Sequence, residues 1–166
     1  RAAREFGMPM GPLLLADTVG LDICLSVGHI LAGHFHFEVP KRLEELVAMG
    51  RLGKKSGRGF YDHKKQHKAF PRTKRSLLPD EDLTDRLILS LLNEAVACRR
   101  EGIVSEGDLL DAGAVFGIGF APFRGGPLHY IRTQGVDTIH ARLKILQARY
   151  GERFVPDPGW LEFPES

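Results

Sequence analysis

The sequence predicts an all-α fold built as two tandem helical units, and three observations carry that expectation. Two segments 110 residues apart, Phe6-Gly7-Met8-Pro9-Met10-Gly11-Pro12 and Phe116-Gly117-Ile118-Gly119-Phe120-Ala121-Pro122, share a glycine and proline spacing. Each is followed by a second shared signal, Gly20-Leu21-Asp22 and Gly135-Val136-Asp137, so the chain reads as two copies of one unit. Apolar residues recur at three- and four-residue steps, most clearly at Leu83, Leu87, Ile88, Leu91, Ala95 and Cys98. Alternating strand patterns bounded by turn residues are essentially absent.

Pro12 suits an opening helical turn, where its missing N–H is not needed, and leads into Leu13, Leu14, Leu15 and Ala16 before Gly20. Asp22 has the character of an N-cap for a helix from Ile23 to Ala32, with Gly33 as its stop. Pro40 is expected in the first turn of a helix through Leu43, Leu46 and Val47 that Gly50 closes. The periodic run that begins near Leu83 is expected to end at Gly102. Ser105 and Asp108 have the spacing of a capping box ahead of Leu109 to Val115, and Asp137 precedes a helix through Leu143 and Leu146.

The stretch between these halves is different in kind. Residues 63–75 hold Lys64, Lys65, Lys68, Arg72, Lys74 and Arg75 with no acid, and Pro71 and Pro79 punctuate the same region. We therefore expect a first repeat over residues 1–62, a basic linker over 63–79 and a second repeat over 80–166. Only 11 residues precede Pro12, whereas a long amphipathic run precedes Pro122, so the first copy is expected to lack its opening helix and the chain to be the tail of a longer protein.

Composition sets further bounds. With 43% apolar and 27% charged residues among 166, the chain can bury a core. No apolar run approaches the roughly 20 residues that span a bilayer, and the start lacks a signal pattern, so a soluble, cytoplasmic protein is expected. Cys24 and Cys98 sit in apolar helical settings far apart and read as reduced thiols rather than a disulfide scaffold. The net charge of +2 rests on the local basic stretch, which argues against a nucleic-acid-seeking surface.

Several motifs offer chemistry and fall short of it. Gly53-Lys54-Lys55-Ser56-Gly57-Arg58-Gly59-Phe60-Tyr61 alternates small and cationic residues suited to phosphate, yet it breaks the order of a Walker loop; a helix-exit turn is the stronger reading. Neither Gly57-x-Gly59 nor Gly117-x-Gly119 completes a dinucleotide fingerprint, so no cofactor is expected on this chain alone. His34-x-His36 and His63-x3-His67 lack the further ligands of a zinc set, and no nucleophile elbow is present. The Met-Pro-Met-Gly-Pro loop is stiffened by two prolines and presents polarizable apolar surface, which suits one wall of an acyl pocket or the filling of a helix junction.

These residues resemble the C-terminal domains of the L-3-hydroxyacyl-CoA dehydrogenase family, and in particular the duplicated C-terminal domains of the multifunctional fatty-acid β-oxidation α subunit. The first copy carries the resemblance through Phe6 to Pro12, through Leu15-Ala16-Asp17-Thr18-Val19-Gly20-Leu21-Asp22 and through Gly53 to Tyr61. The second carries it through Leu92-Asn93-Glu94-Ala95, Glu101-Gly102-Ile103-Val104 and Gly117 to Pro127. The resemblance implies a nucleotide-binding domain ahead of these helices, oxidation of the 3-hydroxyl of an acyl-CoA and transfer of hydride to NAD. It also implies a preceding enoyl-CoA hydratase domain, and either a homo-oligomer or a complex with thiolase subunits.

None of the family's catalytic residues is carried onto this fragment. The Asn-Arg position that opens the domain reads Asp85-Arg86 in the second copy, which implies a structural copy. Pro9, Met10, Gly11 and Pro12 are the residues expected to line or support the acyl site. The alternatives are a non-catalytic helical interaction module and a fragment of a dehydrogenase acting on small 2- or 3-hydroxyacids.

Overall fold

The computed structural model describes residues 1–35, 37–64 and 80–163, all of them in helices, turns and loops. Among the described residues there is no strand, only isolated bridges at Gly53, Arg58 and Asp62. The described residues form eight α-helices in order: α1 (Ala2–Phe6), α2 (Pro12–Val19), α3 (Leu21–Phe35), α4 (Lys41–Ala48), α5 (Asp80–Arg100), α6 (Gly107–Ile118), α7 (Pro127–Gln134) and α8 (Val136–Tyr150). The chain divides into two compact units, one of Arg1–Pro9 with Leu77–Ser166 and one of Met10–Ser76. Most of the basic linker expected over 63–79, with His36 and His67, lies outside the described residues.

The larger unit is organised on α5. Its periodicity was legible, but the buried stripe is Ile88, Leu89, Leu92, Ala95 and Val96, while Leu87, Leu91 and Cys98 are half-buried. The stripe is broad because α1, α7, α8 and the turn at Pro158–Glu162 all lie against this helix. From α7 and α8 it covers Leu128, Ile131, Ile139, Leu143 and Leu146, each worth about 1.5–3 kcal/mol when fully removed from water. Asn93 secures the C-terminal turns: its Oδ1 accepts from Trp160 Nε1 at 2.8 Å and from the Asp157 amide at 2.9 Å, and its Nδ2 donates to Val155 O at 3.0 Å. Asp85 is held on both carboxylate oxygens by Arg142 of α8, with Nε at 2.8 Å.

The smaller unit has a thin core. Among its described residues only Leu21 and Leu46 are fully buried apolar side chains. Leu13, Leu15 and Val19 on α2 and Ile23, Val27, Ile30 and Leu31 on α3 are exposed, Ile30 to 65%. No single described helix is long and apolar enough to cross a membrane; α2 and α3 reach that composition only together, and they meet at 106°.

Several local expectations are corrected. Asp22 and Asp137 do not cap their helices but lie inside the first turn, because Gly20 (φ 114°) and Gly135 (φ 89°) reverse the chain and let α3 and α8 start two residues earlier. Gly33 does not stop α3, which continues to Phe35. Pro40 is the N-cap of α4 rather than part of its first turn. The capping box at Ser105 is not formed: Glu106 occupies the N-cap of α6 without a side-chain bond, and the Ser105 carbonyl is taken by Arg99. Helix α7 has no counterpart among the expected elements, and Pro127 is its first residue, where the missing N–H is not needed. Pro12 opens an eight-residue helix as expected, but Pro122, matched to it in sequence, opens only a three-residue 3₁₀ turn.

Candidate functional site

The expected acyl-side residues begin where α1 ends. Gly7 closes α1 in the left-handed conformation (φ 115°, ψ 8°), its amide donating to Ala3 O and Arg4 O, and Met8 turns its side chain onto the core of the larger unit. Met8 is thus a filler of the helix junction, the plainer of the two roles open to the methionines. Phe6 is buried edge-on against Phe120 and Tyr130, at ring distances of 5.5 and 5.3 Å. Arg124 clamps this end: Nε donates to Phe6 O at 2.8 Å, and the guanidinium lies 4.2 Å from the Phe6 ring and 5.1 Å from that of Tyr130.

Pro9 is exposed, with its ring on Gly119. Met10 is half-buried and Pro12 exposed at the first position of α2. Gly11 is the N-cap of α2 in extended conformation, and nothing lies within 4 Å of where a Cβ would stand. The tetrapeptide is therefore placed with open backbone and apolar surface, and no titratable group belongs to it.

The turn over residues 53–61 is occupied by its own unit. The amides of Gly53, Ser56, Gly57, Gly59 and His63 bond carbonyls within the segment, and those of Phe60 and Tyr61 donate to Asp17 at 2.8 and 3.0 Å. Lys55 pairs with Asp22 at 2.6 Å and holds that carboxyl below its usual range, and Arg58 pairs with Asp62 at 3.7 Å. With those amides satisfied, the segment is a helix-exit turn and not a phosphate cradle.

Asp17 is what sequence reasoning missed as an organiser. Its carboxylate is buried on α2, and besides the two amides it meets His63 Nε2 at 2.7 Å. Gly59 is required opposite it, since a Cβ there would overlap the carboxylate. The larger unit holds a comparable arrangement: buried Asp111 on α6 accepts from the Leu128 and His129 amides at 2.7 and 3.0 Å, and Gly126 leaves it room. Burial pushes the Asp111 carboxyl up, against the opposing pull of those two amides and of Arg132.

The remaining groups offer little chemistry. Among the described residues no three potential ligands gather for a metal ion. Cys24 and Cys98 are free, half-buried thiols that burial pushes up in pKa, away from reactive thiolates. The glycine pairs are committed elsewhere, Gly59 to Asp17 and Gly119 to the cap of α6, and no strand leads into either, so these residues do not fit a dinucleotide. A cleft of about 430 Å³ is lined by Val96, Arg99, Arg100, Gly159, Glu162 and Phe163; none of the expected site residues borders it, and Arg100 is taken by Asp157 at 2.8 and 2.9 Å.

The Gly-Met-Pro-Met-Gly-Pro loop and the Asp17-tethered turn both fall within the first 63 residues of this helical fold. Residues 1–63 match the family of the 3-hydroxyacyl-CoA dehydrogenase C-terminal domain, and it is this family that the chain resembles. Over 174 residues, 95% of the chain is 38% identical to the fatty acid oxidation complex subunit alpha of Shewanella sp. (strain ANA-3). The same subunit of Idiomarina loihiensis is 40% identical over 93% of the chain. The chain spans about a quarter of the length of these relatives, 24% and 23%. In fold it is similar to 3-hydroxybutyryl-CoA dehydrogenase of Escherichia coli K12, with a TM-score of 0.76 at 23% identity, over 97% of this chain and 52% of that one. It is also similar to the dehydrogenase part of multifunctional enzyme 1 from C. elegans, with a TM-score of 0.67 at 22% identity, over 98% and 40% of the two chains.

Proposed function

We propose that this chain is the C-terminal helical part of an NAD-dependent L-3-hydroxyacyl-CoA dehydrogenase of fatty-acid β-oxidation, of the multifunctional kind that also carries an enoyl-CoA hydratase domain. Its role is to supply acyl-side packing and association surface, and it is inactive without the nucleotide-binding domain that holds NAD. We place the enzyme in the cytoplasm, as a homo-oligomer or in a complex with thiolase. The observation that carries this reading is the 38% identity to α subunits of the fatty acid oxidation complex over nearly the whole chain. Pro9, Met10, Gly11 and Pro12 are assigned to the acyl side, supported by the open surface at Gly11 and the exposure of Pro9 and Pro12.

The enzyme that carries this chain is expected to reduce NAD with L-3-hydroxyacyl-CoA substrates, and residues 1–166 alone to show no turnover. Met10→Ala in that enzyme is expected to change the Michaelis constant for long acyl-CoA substrates by roughly threefold to tenfold, the worth of about one partly buried side chain. An unaltered Michaelis constant and chain preference would remove Met10 from the site.

We also propose that the chain holds two copies of the domain, over residues 1–62 and 80–166 with a linker at 63–79, the first copy lacking its opening helix. Three correspondences support it. Helices α2 and α7 both have eight residues opened by proline, a glycine of positive φ follows each (Gly20, Gly135), and α3 and α8 both have fifteen residues. The register then pairs Pro12 with Pro127 rather than with Pro122. Under that pairing, Leu128, Ile131, Ile139, Leu143 and Leu146, which lie beneath α5, correspond to Leu13, Ala16, Cys24, Gly28 and Leu31, which are half-buried or exposed.

A face that a long helix covers in one copy is therefore partly open in the other, and exposed apolar surface drives association. Sedimentation of residues 1–166 at high concentration is expected to show species above the monomer, reduced by Leu13→Lys with Leu31→Glu, both exposed on that face. A monodisperse monomer would count against the open face.

A further inference from the structure

Resting on the dehydrogenase reading above, we propose that Phe123, from the second half of the chain, forms part of the wall that receives the acyl tail and helps set chain-length preference. The argument starts from two glycines. Gly7 and Gly119 end α1 and α6 in the left-handed conformation, at φ 115° and 70°, and neither has a Cβ to stand off its neighbour. Each carries a ring from the loop that follows the other helix. Phe123 Cε1 and Cζ lie 2.6 Å from where a Cβ of Gly7 would stand, and Pro9 Cγ lies 2.8 Å from that position at Gly119. The exchange is reciprocal, each ring occupying the space a Cβ of the other glycine would need.

This exchange holds Pro9 and Phe123 in one compact unit with their outer surfaces uncovered. Phe123 is 74% exposed and Ile118, next to the Gly119 cap, 58%. Pro9 is the first of the four residues assigned to the acyl side, and Phe123 and Ile118 offer apolar surface within the same compact unit as Pro9. The positioning beneath is polar and rigid: Arg124, one residue after Phe123, bonds Phe6 O and lies among the rings of Phe6, Tyr130 and Phe123, the last at 5.2 Å. Pro9, Ile118 and Phe123 present no hydrogen-bonding side chain, which suits a saturated hydrocarbon tail and offers nothing to the carbonyl or the CoA phosphates.

The test uses the full-length enzyme with two substrates, L-3-hydroxyhexadecanoyl-CoA and L-3-hydroxybutyryl-CoA, and reads the ratio of their kcat/KM. Phe123→Ala is expected to lower the long-to-short ratio about tenfold, mainly through the Michaelis constant of the long substrate, the worth of one ring half covered by an acyl chain. Phe123→Leu, which keeps most of the apolar contact, is expected to lower it less than about threefold. Phe116→Ala is the control, since Phe116 is exposed to 89% on α6 without lying on Gly7.

An unchanged ratio in active Phe123→Ala enzyme overturns the proposal. So does an equal fall in Phe116→Ala, which would make the effect one of general surface apolarity. Inactivity of the unaltered enzyme toward both substrates would overturn the dehydrogenase reading, and this inference with it.

Discussion

Replacing Asp17 with alanine is expected to destabilise the smaller unit by about 3–5 kcal/mol, enough to open it under native conditions. The residue is only 1% exposed and its carboxylate serves three donors: the Phe60 amide at 2.8 Å, the Tyr61 amide at 3.0 Å and, with the imidazole proton on Nε2, His63 at 2.7 Å. Charge-assisted bonds to a buried carboxylate are about twice as strong as neutral ones, and their loss leaves two amides and a ring nitrogen without the acceptor they were folded around. Little else compensates, because Leu21 and Leu46 are the fully buried apolar side chains among the unit's described residues.

Asp17→Asn keeps one carbonyl acceptor in nearly the same volume and is expected to lose roughly half as much. A chain of two units need not unfold in one step, so the measurement is native-state hydrogen exchange at the Phe60 and Tyr61 amides, compared with amides of α5. Protection at the two amides reduced by less than about tenfold in Asp17→Ala would show that the turn is held by something else. Equal loss of protection in α5 would show that the effect is not confined to the unit.

That Asp17 was visible in the sequence only as one letter of a resembling stretch has a physical reason. Its partners lie 43, 44 and 46 positions away, and no local period or cap motif encodes a carboxylate that reaches across such a span. What periodicity does encode, it encodes well: α5 was legible from three- and four-residue spacing because one helix face had to be apolar. The rotation of its buried stripe toward Leu89, Leu92 and Val96 was not legible, since it depends on helices arriving from several sides.

Glycine was the less readable residue. Gly33 and Gly102 look alike as stops, yet Gly33 continues a helix with nothing near its Cβ position, while Gly102 adopts φ 70°. Pro9, Met10, Gly11 and Pro12 stood out through proline stiffening and methionine content, but Phe123 did not, because its significance lies in what it covers at Gly7, 116 positions earlier.

Gly126→Ala is expected to be as damaging to the larger unit, costing about 3–5 kcal/mol. The backbone there stands at φ 113° and ψ 171°, a region that L side chains rarely adopt, and a Cβ would overlap the Cβ and carboxylate of Asp111. The overlap matters because of what Asp111 does for α7. Gly126 is the N-cap of that helix and has no side chain with which to cap it, so the amides of the second and third residues, Leu128 and His129, are satisfied from outside by Asp111 on α6.

A helix start whose cap is supplied 17 residues upstream needs a residue at the N-cap that is small enough to let the carboxylate in, and glycine alone meets that condition. The two positions are thus one device, and a double-mutant cycle exposes it. Asp111→Ala alone should cost about 2–3 kcal/mol through the uncapped amides. In that background Gly126→Ala is relieved of its overlap with the carboxylate but still meets the Cβ of residue 111 and retains the backbone strain, so the combined loss should fall short of the sum by about 1 kcal/mol. Additivity within about 0.5 kcal/mol would mean that the glycine is required by backbone strain and the Cβ of residue 111, and that the carboxylate does not depend on it.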